Sequence, residues 1–314
     1  MPGPSGVLVI DKPAGPTSFD VVRRVSRALD ASTAGHAGTL DPAATGVLAV
    51  CVGDAVKLQQ FLMDGDKAYE ATVALGAATD TEDGEGRVIA RGDPGAVTAD
   101  ALRAAAARLV GWIDQIPPMY SAVRVGGRRL HRAARAGEAV ERAPRRVRVD
   151  AFDLVDLAPP ADGLALARFT VRCGKGTYVR TLAVDVGRAV GVPAHLAALR
   201  RTMSSGFRIE QAIPLDAAEA LAREDAEALR ARLVSLADAL GFVPALPLSW
   251  QQALDLVHGR PVARPPGAPA GVTRALAPDG RLVAVCGPGD GRLRTLRVLL
   301  GPADLRPPAV APEH

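Results

Sequence analysis

The sequence of 314 residues is poor in cysteine, lysine and aromatic residues, and it contains no asparagine. Its three cysteines, Cys51, Cys173 and Cys286, are widely separated, which argues against a disulfide framework and against a zinc site built from neighbouring cysteines. No apolar run approaches the ~20 residues of a membrane-spanning helix, and the first residues lack a basic segment followed by an apolar one. We therefore expect a soluble protein of the cytoplasm.

The charge balance is mildly basic. Lysine and arginine number 38 and acidic residues 34, which gives a formal net charge of +4 and a sequence pI near 9.2. This excess fits a polyanionic partner without requiring one. Only four of the basic residues are lysines, which indicates a codon bias toward arginine. The densest positive stretch, residues 132–148, is therefore equally consistent with an ordinary solvated surface and with a surface that binds phosphates.

The order of the predicted elements indicates the fold class. Short apolar runs predict strands at residues 6–10, 47–52, 67–75, 147–157 and 164–173. Strands and helices interleave without regular βαβ alternation, which predicts an α+β fold with a mixed, largely antiparallel central sheet. Short strands within residues 272–299 follow a joint rich in proline and glycine and predict a small β-rich domain. We expect the two domains to cover residues 1–243 and 244–314.

Asp41 is the candidate reactive group. It lies in the glycine-flanked segment GHAGTLDPAATG, which predicts a loop before an apolar strand. Taken alone, an Asp-Pro pair is typical of a helix N-cap or a plain turn. Tyr69 opens a predicted strand, and Tyr178 and Arg180 follow a glycine-rich turn. Single tyrosines usually serve packing and single arginines usually lie at the surface, so these residues become functional candidates only as a group.

Several common catalytic motifs are absent from the sequence. The segment GKGT at residues 174–177 lacks the spacing of a phosphate-binding GxxxxGK[ST] loop. The five histidines are dispersed and neither HExxH nor GxSxG occurs, so we expect no metal site and no serine nucleophile. The acidic segment at residues 80–86 fails the EF-hand pattern, because Gly84 falls where an acidic residue is needed. That segment predicts a solvated hairpin.

The segment GHAGTLDPAATGVL closely resembles the catalytic motif of the TruB family of pseudouridine synthases. Further segments resemble TruB segments in TruB order, and together they cover about residues 6–215: GVLVIDKPAGPTSFDVV, DKAYEATVALGAATDTEDGEG, IPPMYSAVRVGGRRLHRAARAGE, CGKGTYVRTLAVDVG and LRRTMSSGFRI. The resemblance implies that Asp41 is the nucleophile, that Tyr69 stacks on the target base and assists proton transfer, and that Arg180 is the ion-pair partner of Asp41. It also implies residues that line the base pocket or shape the RNA loop: His36, Lys12, Tyr178 and Leu199.

The same resemblance implies an activity, a fold and a partner. A TruB-like protein is expected to isomerise uridine 55 in the T-loop of tRNA to pseudouridine after extracting the base, without a cofactor, a metal or a guide RNA. The implied fold is that of pseudouridine synthases, with the active cleft across the sheet and an RNA-clamping insertion at about residues 117–146. Residues 244–314 resemble, more faintly, a PUA-like RNA-binding domain. The expected partner is the tRNA T-arm, bound by a monomer that needs no protein partner. Candidates for contacts with the RNA backbone are Arg128, Arg129, Arg132, Arg145 and Arg146.

The sequence leaves the route of the reaction open. An unperturbed aspartate has a pKa of about 3.9, so we expect Asp41 to be ionised at neutral pH, with Arg180 keeping it so when the bound base removes water. The carboxylate could attack C1′ of the ribose directly. It could also add there after elimination to a glycal, with Tyr69 relaying the C2′ proton. One departure from the family pattern is Ala37, where related proteins often carry a hydroxyl residue.

Two other classes of protein stay open at this point. The first is a catalytically silent RNA-binding or assembly factor on the same scaffold, against which the group formed by Asp41, Tyr69 and Arg180 argues. The second is a glycosidase or nucleosidase, which usually needs a second carboxylic acid across the scissile bond. Release of free uracil would identify it. Residues that could supply the second acid, although none lies in a comparably constrained motif, are Asp11, Asp64 and Asp66.

Overall fold

The computed structural model of the chain describes residues 3–120, the backbone of residues 124–125 and 128–129, and residues 140–305. Its strands are β1 (Gly6–Lys12), β2 (Ala34–His36), β3 (Thr45–Val52), β4 (Lys67–Leu75), β5 (Ala77–Thr79), β6 (Val88–Arg91), β7 (Gly111–Gln115), β8 (Arg124–Val125), β9 (Arg128–Arg129), β10 (Arg145–Leu157), β11 (Ala165–Cys173), β12 (Ala194–Ser204), β13 (Phe207–Arg208), β14 (Ile213–Pro214), β15 (Ala245–Pro247), β16 (Thr273–Leu276), β17 (Leu282–Gly287) and β18 (Arg294–Val298). Its α-helices are α1 (Ser18–Ala28), α2 (Gln59–Asp64), α3 (Ala99–Ala107), α4 (Val179–Ala189), α5 (Leu215–Glu224), α6 (Ala226–Arg230), α7 (Leu236–Ala239) and α8 (Trp250–Val257).

Ten of the described strands form one central sheet. Its main order is β14-β1-β3-β12-β4-β11-β10-β7, with β2 beside β3 and β13 beside β12. The strand β4 lies between β11 and β12 and is antiparallel to both. The pairs β1–β14 and β3–β12 are parallel, so the sheet is mixed and largely antiparallel. The predicted α+β class is therefore confirmed.

The strand β11 shows how the sequence pattern determines the two faces of this sheet. Its residues alternate strictly between buried and exposed, and Phe169 and Val171 are among the buried ones. The buried face packs against the helices α3 and α4 in one apolar cluster. Because β11 ends opposite Lys67, the turn at residues 174–178 returns the chain to this face near the start of β4. The first turn of α4 is thereby brought toward Tyr69.

The helix α1 begins with a capping box. Thr17 is the N-cap: its hydroxyl accepts a hydrogen bond from the backbone N–H of Asp20 at 3.1 Å, and the Asp20 carboxylate accepts one from the N–H of Thr17 at 3.1 Å. The apolar side chains of Val21 and Val25 are buried against β1 and β3. Ser18, the first residue of the helix, donates its hydroxyl to the carbonyl oxygen of Leu40 in the loop described below.

The residues after Pro244 form a second sheet in the order β15-β16-β17-β18. Arg274 of this sheet donates to the carbonyl oxygens of Val243 at 3.0 Å and Ala237 at 2.7 Å. Apolar side chains from β17 also share a cluster with those of β1 and β3. The domain boundary near residue 243 stays a prediction. Within the described residues, no helix has both the length and the apolar character needed to cross a membrane.

Candidate active site

Asp41 lies in the loop of residues 37–44, which connects β2 to β3. Lys12, the last residue of β1, is completely buried against this loop. Its ammonium group donates to the carbonyl oxygens of Pro13 at 2.9 Å, Pro42 at 2.9 Å and Ala44 at 2.8 Å. An ammonium has three N–H groups, so this set uses all of them. Lys12 therefore anchors the loop on the C-terminal side of Asp41, and its place in the base pocket stays a prediction.

Arg201 of β12 anchors the other side of the loop. Arg201 is buried, with only 2% of its surface exposed. Nη2 donates to the carbonyl oxygen of Gly38 at 3.1 Å, Nη1 to that of Thr39 at 3.2 Å, and Nε to that of Val47 on β3 at 2.7 Å. A guanidinium is planar and its donors point in fixed directions. These three acceptors therefore fix the first half of the loop relative to β3.

Two further features hold the loop in place. The hydroxyl of Ser18 donates to the carbonyl oxygen of Leu40 and accepts from its N–H, both at 2.9 Å. Gly46 has a φ of +100°, a conformation that favours glycine. A Cβ at this position would lie 2.2 Å from the carbonyl oxygen of Arg201, so glycine permits the close approach of β3 to β12. The loop is thus held by groups of the protein itself on both sides of Asp41.

Arg180 lies in the first turn of α4 and faces Asp41. Nη2 of Arg180 is 3.2 Å from Oδ2 of Asp41, and Nη1 is 3.4 Å from Oδ2 of Asp83. The same guanidinium donates to the carbonyl oxygens of Thr81 at 3.1 Å and Tyr120 at 2.8 Å. The side chain of Arg180 is 7% exposed. One buried cation therefore stands between two carboxylates, as the resemblance implied for Asp41 but not for Asp83.

The pKa of Asp41 is raised above its ordinary value. Burial is the main cause, and the guanidinium of Arg180 offsets it only in part. The carboxylate of Asp83 raises this pKa further, and the ammonium of Lys12 lowers it. The expectation that Arg180 counters burial is thus only partly met. The Asp41 side chain is still 43% exposed, so the carboxylate is open to an approaching substrate.

Tyr69 lies on the same face of the sheet as the Asp41 loop. It is directly opposite Arg201 of β12 and Val171 of β11. Directly opposite residues project from the same face, so the phenol and the Arg201 guanidinium are neighbours. Burial raises the pKa of Tyr69, whereas the charge and hydrogen bonding of Arg201 lower it. The net direction is upward, so at neutral pH Tyr69 is a neutral phenol that can donate or relay a proton.

Comparisons with known proteins assign this arrangement to a family. The model of the N-terminal domain of TruB family pseudouridylate synthases matches residues 26–179. Two C-terminal models follow it, the tRNA pseudouridylate synthase B C-terminal domain over residues 180–241 and the tRNA pseudouridine synthase II C-terminal region over residues 243–300. The tRNA pseudouridine synthase B of Aromatoleum aromaticum is 47% identical over 297 residues, which are 94% of this chain and 92% of that protein. The chain belongs to the TruB family.

Other relatives and solved structures agree with this assignment. The tRNA pseudouridine synthase B of Stutzerimonas stutzeri is 42% identical, over 94% of this chain and 95% of that protein. A chain of a Cbf5-Nop10-Gar1 complex superposes with a TM-score of 0.75 at 26% identity, covering 96% of this chain and 86% of that one. A chain of an archaeal box H/ACA sRNP Nop10-Cbf5 complex gives a TM-score of 0.72 at 25% identity, covering 98% and 89%. The predicted pseudouridine synthase fold is confirmed.

In this TruB family member, His36 is the last residue of β2 and directly precedes the Asp41 loop. Burial lowers its pKa, and the charge of Arg201 lowers it further, so the imidazole is neutral at neutral pH. Its Nδ1 is buried and has no hydrogen-bond partner within the described residues. Buried polar atoms are usually paired, so this nitrogen is a candidate for contact with a substrate. The role of His36 in the base pocket stays a prediction.

The other two predicted pocket residues lie on elements that carry the site. Tyr178 directly precedes α4, and its backbone N–H donates to Oε1 of Gln115 at 2.8 Å while its carbonyl accepts from Nε2 at 3.1 Å. This pair joins β7, at the base of the predicted insertion, to the helix that carries Arg180. Leu199 precedes Arg201 by two residues on β12, so it projects from the same face and packs against the adjoining core. Both residues therefore lie on the elements that carry Arg180 and Arg201, and their roles in the base pocket stay predictions.

The predicted RNA-backbone arginines do not share one surface. Arg145 and Arg146 belong to β10, where they lie opposite Gln115 and Asp114, respectively. Successive strand residues point to opposite faces, so Arg145 shares the face of Gln115, whereas Arg146 projects from the other face. The structure gives only the backbone of Arg128 and Arg129, in β9, and Arg132 lies outside the described residues.

Two residues that contact the site were not among the predicted ones. Asp83 belongs to the acidic segment that predicted a solvated hairpin, yet its side chain is 16% exposed and contacts Arg180. That prediction is wrong for this residue, because the hairpin packs against the first turn of α4, where Glu82 accepts a hydrogen bond from Thr181 at 2.9 Å. Arg201 is the second. The signal that the sequence offers for both is that they lie in segments resembling TruB.

Proposed function

We propose that this protein isomerises uridine 55 in the T-loop of tRNA to pseudouridine, with the Asp41 carboxylate as the nucleophile and without a cofactor, a metal or a guide RNA. The observation that carries the proposal is the 3.2 Å ion pair between Asp41 and Arg180, on a loop anchored by buried side chains on both sides. Relatives at 42–47% identity are named tRNA pseudouridine synthase B, which supports tRNA as the substrate.

The proposed chemistry balances without a co-reactant. The bond between N1 of uracil and C1′ of the ribose breaks, and its electron pair passes to the base while an Asp41 oxygen bonds to C1′. The base turns in the pocket, and its C5 bonds to C1′ and displaces the carboxylate. The proton on C5 is lost and N1 gains one, so substrate and product are isomers. Arg180 stabilises the free carboxylate before attack and again as it leaves.

Two routes to the covalent intermediate differ in the fate of the C2′ proton. In the direct route, Asp41 displaces the base at C1′ and the C2′ proton stays in place. In the elimination route, the base leaves and this proton is removed, and Asp41 then adds to C1′ of the resulting glycal while a proton returns to C2′. Tyr69, a neutral phenol beside the loop, is the group that we propose to relay the proton. Deuterium at C2′ should slow the elimination route and leave the rate of the direct route nearly unchanged.

The uridine must leave the RNA loop to reach Asp41. Unstacking a base costs a few kcal/mol, and stacking on an aromatic side chain such as Tyr69 returns about 1–3 kcal/mol. The neutral imidazole of His36, next to the loop, is placed to contact the extracted nucleotide or its neighbour. Recognition of the T-arm is proposed to depend mainly on its shape and its phosphates. We propose that a monomer does this without a protein partner.

A nucleosidase is less well supported by the geometry. The three carboxylates that could serve as its second acid each pair with a cation other than the Arg180 that pairs with Asp41: Asp11 with Arg200, Asp64 with Lys175, and Asp66 with Arg148. Asp83 is the carboxylate that shares the Arg180 guanidinium with Asp41, so both lie beside one cation rather than on opposite sides of a scissile bond.

An unmodified tRNA transcript tests the proposed function directly. The purified protein alone should convert the uridine at position 55 to pseudouridine and release no free uracil. Free uracil would identify a nucleosidase. Tight binding of the transcript without any conversion would identify a silent RNA-binding protein, and pseudouridine at another position would contradict the proposed site.

The salt dependence of tRNA binding tests which face of β10 contacts the RNA. Each lost phosphate contact reduces the slope of log K against log salt by about 0.9. Arg145→Ala should reduce the slope by about this amount, because Arg145 lies on the face of Gln115 and Tyr178. Arg146→Ala is the matched variant on the opposite face. An unchanged slope for Arg145→Ala would exclude that residue from the RNA contact.

A further inference from the structure

We propose that Arg201 is a positioning residue that fixes the Asp41 loop relative to Tyr69. This inference rests on the proposed function and deepens it, because it concerns how the nucleophile Asp41 and the proton relay Tyr69 are held at a fixed relative position. Arg201 itself does not touch the reacting atoms in this proposal. It acts through the two residues that do.

The geometry of Arg201 joins three separate parts of the site. Its backbone is directly opposite Tyr69 on one side of β12 and opposite Gly46 on the other side. Its side chain donates to the carbonyl oxygens of Gly38 and Thr39 in the loop at 3.1 and 3.2 Å. A displacement of Arg201 would therefore move the first half of the loop relative to the strand that carries Tyr69.

The charge of Arg201 is not explained by stability alone. The ion pairs of the described residues do not include Arg201, although it is 2% exposed. Burying a cation without an anionic partner has a desolvation cost, which the hydrogen bonds of Arg201 to three carbonyl oxygens oppose. The adjacent Arg200 provides the contrast, since it is half-exposed and pairs with Asp11 at 2.7 Å. We infer that Arg201 is kept buried and charged for the site.

Arginine suits this position better than lysine does. The three acceptors lie in different directions from one side chain, two in the loop and one on β3. A guanidinium offers Nε and both Nη groups at fixed angles, whereas an ammonium is a single point of charge. The charge also acts on its neighbours, because it lowers the pKa of both Tyr69 and His36. Geometry and charge can therefore be separated by substitution.

Three variants separate these two contributions. R201K keeps the positive charge and loses the fork of donors, whereas R201M loses both. R200K is the matched control, because it changes the neighbouring arginine, whose side chain is half-exposed and bonded to Asp11. The melting temperature and tRNA affinity of each variant are measured first. We expect all three to fold and to bind tRNA within about threefold of the unmodified protein, a difference of about 0.7 kcal/mol.

Two readouts need no turnover. Amide hydrogen exchange at residues 38–40 should accelerate in R201K and R201M but not in R200K, because the loop loses its anchor. The chain has three tyrosines, so their titration can be followed by phenolate absorbance, with Y69F assigning Tyr69. The pKa of Tyr69 should rise in R201M and stay closer to its original value in R201K, because only R201M removes the charge. This titration therefore reports the charge of residue 201 beside Tyr69, whereas the exchange rates report the anchoring of the loop.

The third readout is the single-turnover rate of pseudouridine formation. We expect losses of about 10²-fold for R201K and R201M, as is typical when a reacting group is misplaced by about 1 Å, and little loss for R200K. Rates of R201K and R201M equal to that of R200K would overturn the proposal, and so would global unfolding of both, since Arg201 would then serve the fold. If the unmodified protein converts no uridine, the proposed function fails, whereas the exchange results still decide whether Arg201 positions the loop.

Discussion

The loop that carries Asp41 depends on a buried ammonium group, and the substitution Lys12→Met measures that dependence. Methionine keeps a stem of similar length but removes the ammonium group. In the unmodified protein, Nζ of Lys12 lies 2.8 to 2.9 Å from the carbonyl oxygens of Pro13, Pro42 and Ala44. Pro42 keeps a second donor, the N–H of Gly15 at 2.9 Å, so two carbonyls lose their partner. Hydrogen bonds to charged groups contribute about 1.5–3 kcal/mol each to stability. Removing a buried ammonium also removes its desolvation cost, which is of the order of several kcal/mol.

The balance of these terms predicts a loss of about 3 kcal/mol in the free energy of unfolding. Such a loss lowers Tm by about 6–12 °C, at roughly 2–4 °C per kcal/mol for a protein of this size class. Scanning calorimetry measures the change. The control is Lys57→Met, because Lys57 is exposed and pairs with Asp54, and it should change stability by no more than about 0.5 kcal/mol. Equal stability of the two variants would show that the loop does not need the ammonium.

Two other predictions concern pH. Asp83→Asn removes a carboxylate that raises the pKa of Asp41, so the acid limb of kcat/KM should move to lower pH, and a limb that stays in place or moves up would contradict the account. Burial lowers the pKa of Lys67 to about 8, so above this pH the folded protein binds fewer protons than the unfolded chain. The free energy of unfolding should therefore rise with pH by at most about 1.4 kcal/mol per pH unit, up to the ordinary pKa of lysine. Urea titrations of Lys67→Met should lose this rise while Lys57→Met keeps it, and parallel curves for Lys67→Met and the unmodified protein would refute the assignment.

The parts of the fold that follow from local pattern could be predicted from the sequence. The strand β11 alternates between apolar and polar residues from Ala167 to Cys173, so its two faces are readable there without a structure. Helix α1 begins at the Thr17 cap that its sequence signals. The placement of β12 between β3 and β4 is different, since it depends on pairings between residues more than a hundred positions apart. No local pattern contains that information.

The site shows the same division between local and long-range information. Asp41 and Arg180 are far apart in sequence, and their pairing was implied by resemblance to TruB rather than by spacing. Asp83 could not be assigned, because an acidic hairpin looks solvated until α4 is placed against it. Lys12 and Arg201 look like ordinary basic residues in the sequence, and their use as loop anchors becomes visible only when their burial is known. Long-range packing therefore determines the part of the site that the sequence did not show.

The measurement that tests the central claim most directly is the single-turnover conversion of uridine 55 by Asp41→Asn. The control is Asp64→Asn, which makes the same chemical change at an exposed carboxylate paired with Lys175. Asparagine cannot form the covalent bond to C1′, so we expect a loss of at least about 10⁴-fold for Asp41→Asn with folding and tRNA binding retained, and a rate near that of the unmodified protein for Asp64→Asn. A folded Asp41→Asn protein that forms pseudouridine at the rate of Asp64→Asn would contradict the role assigned to Asp41.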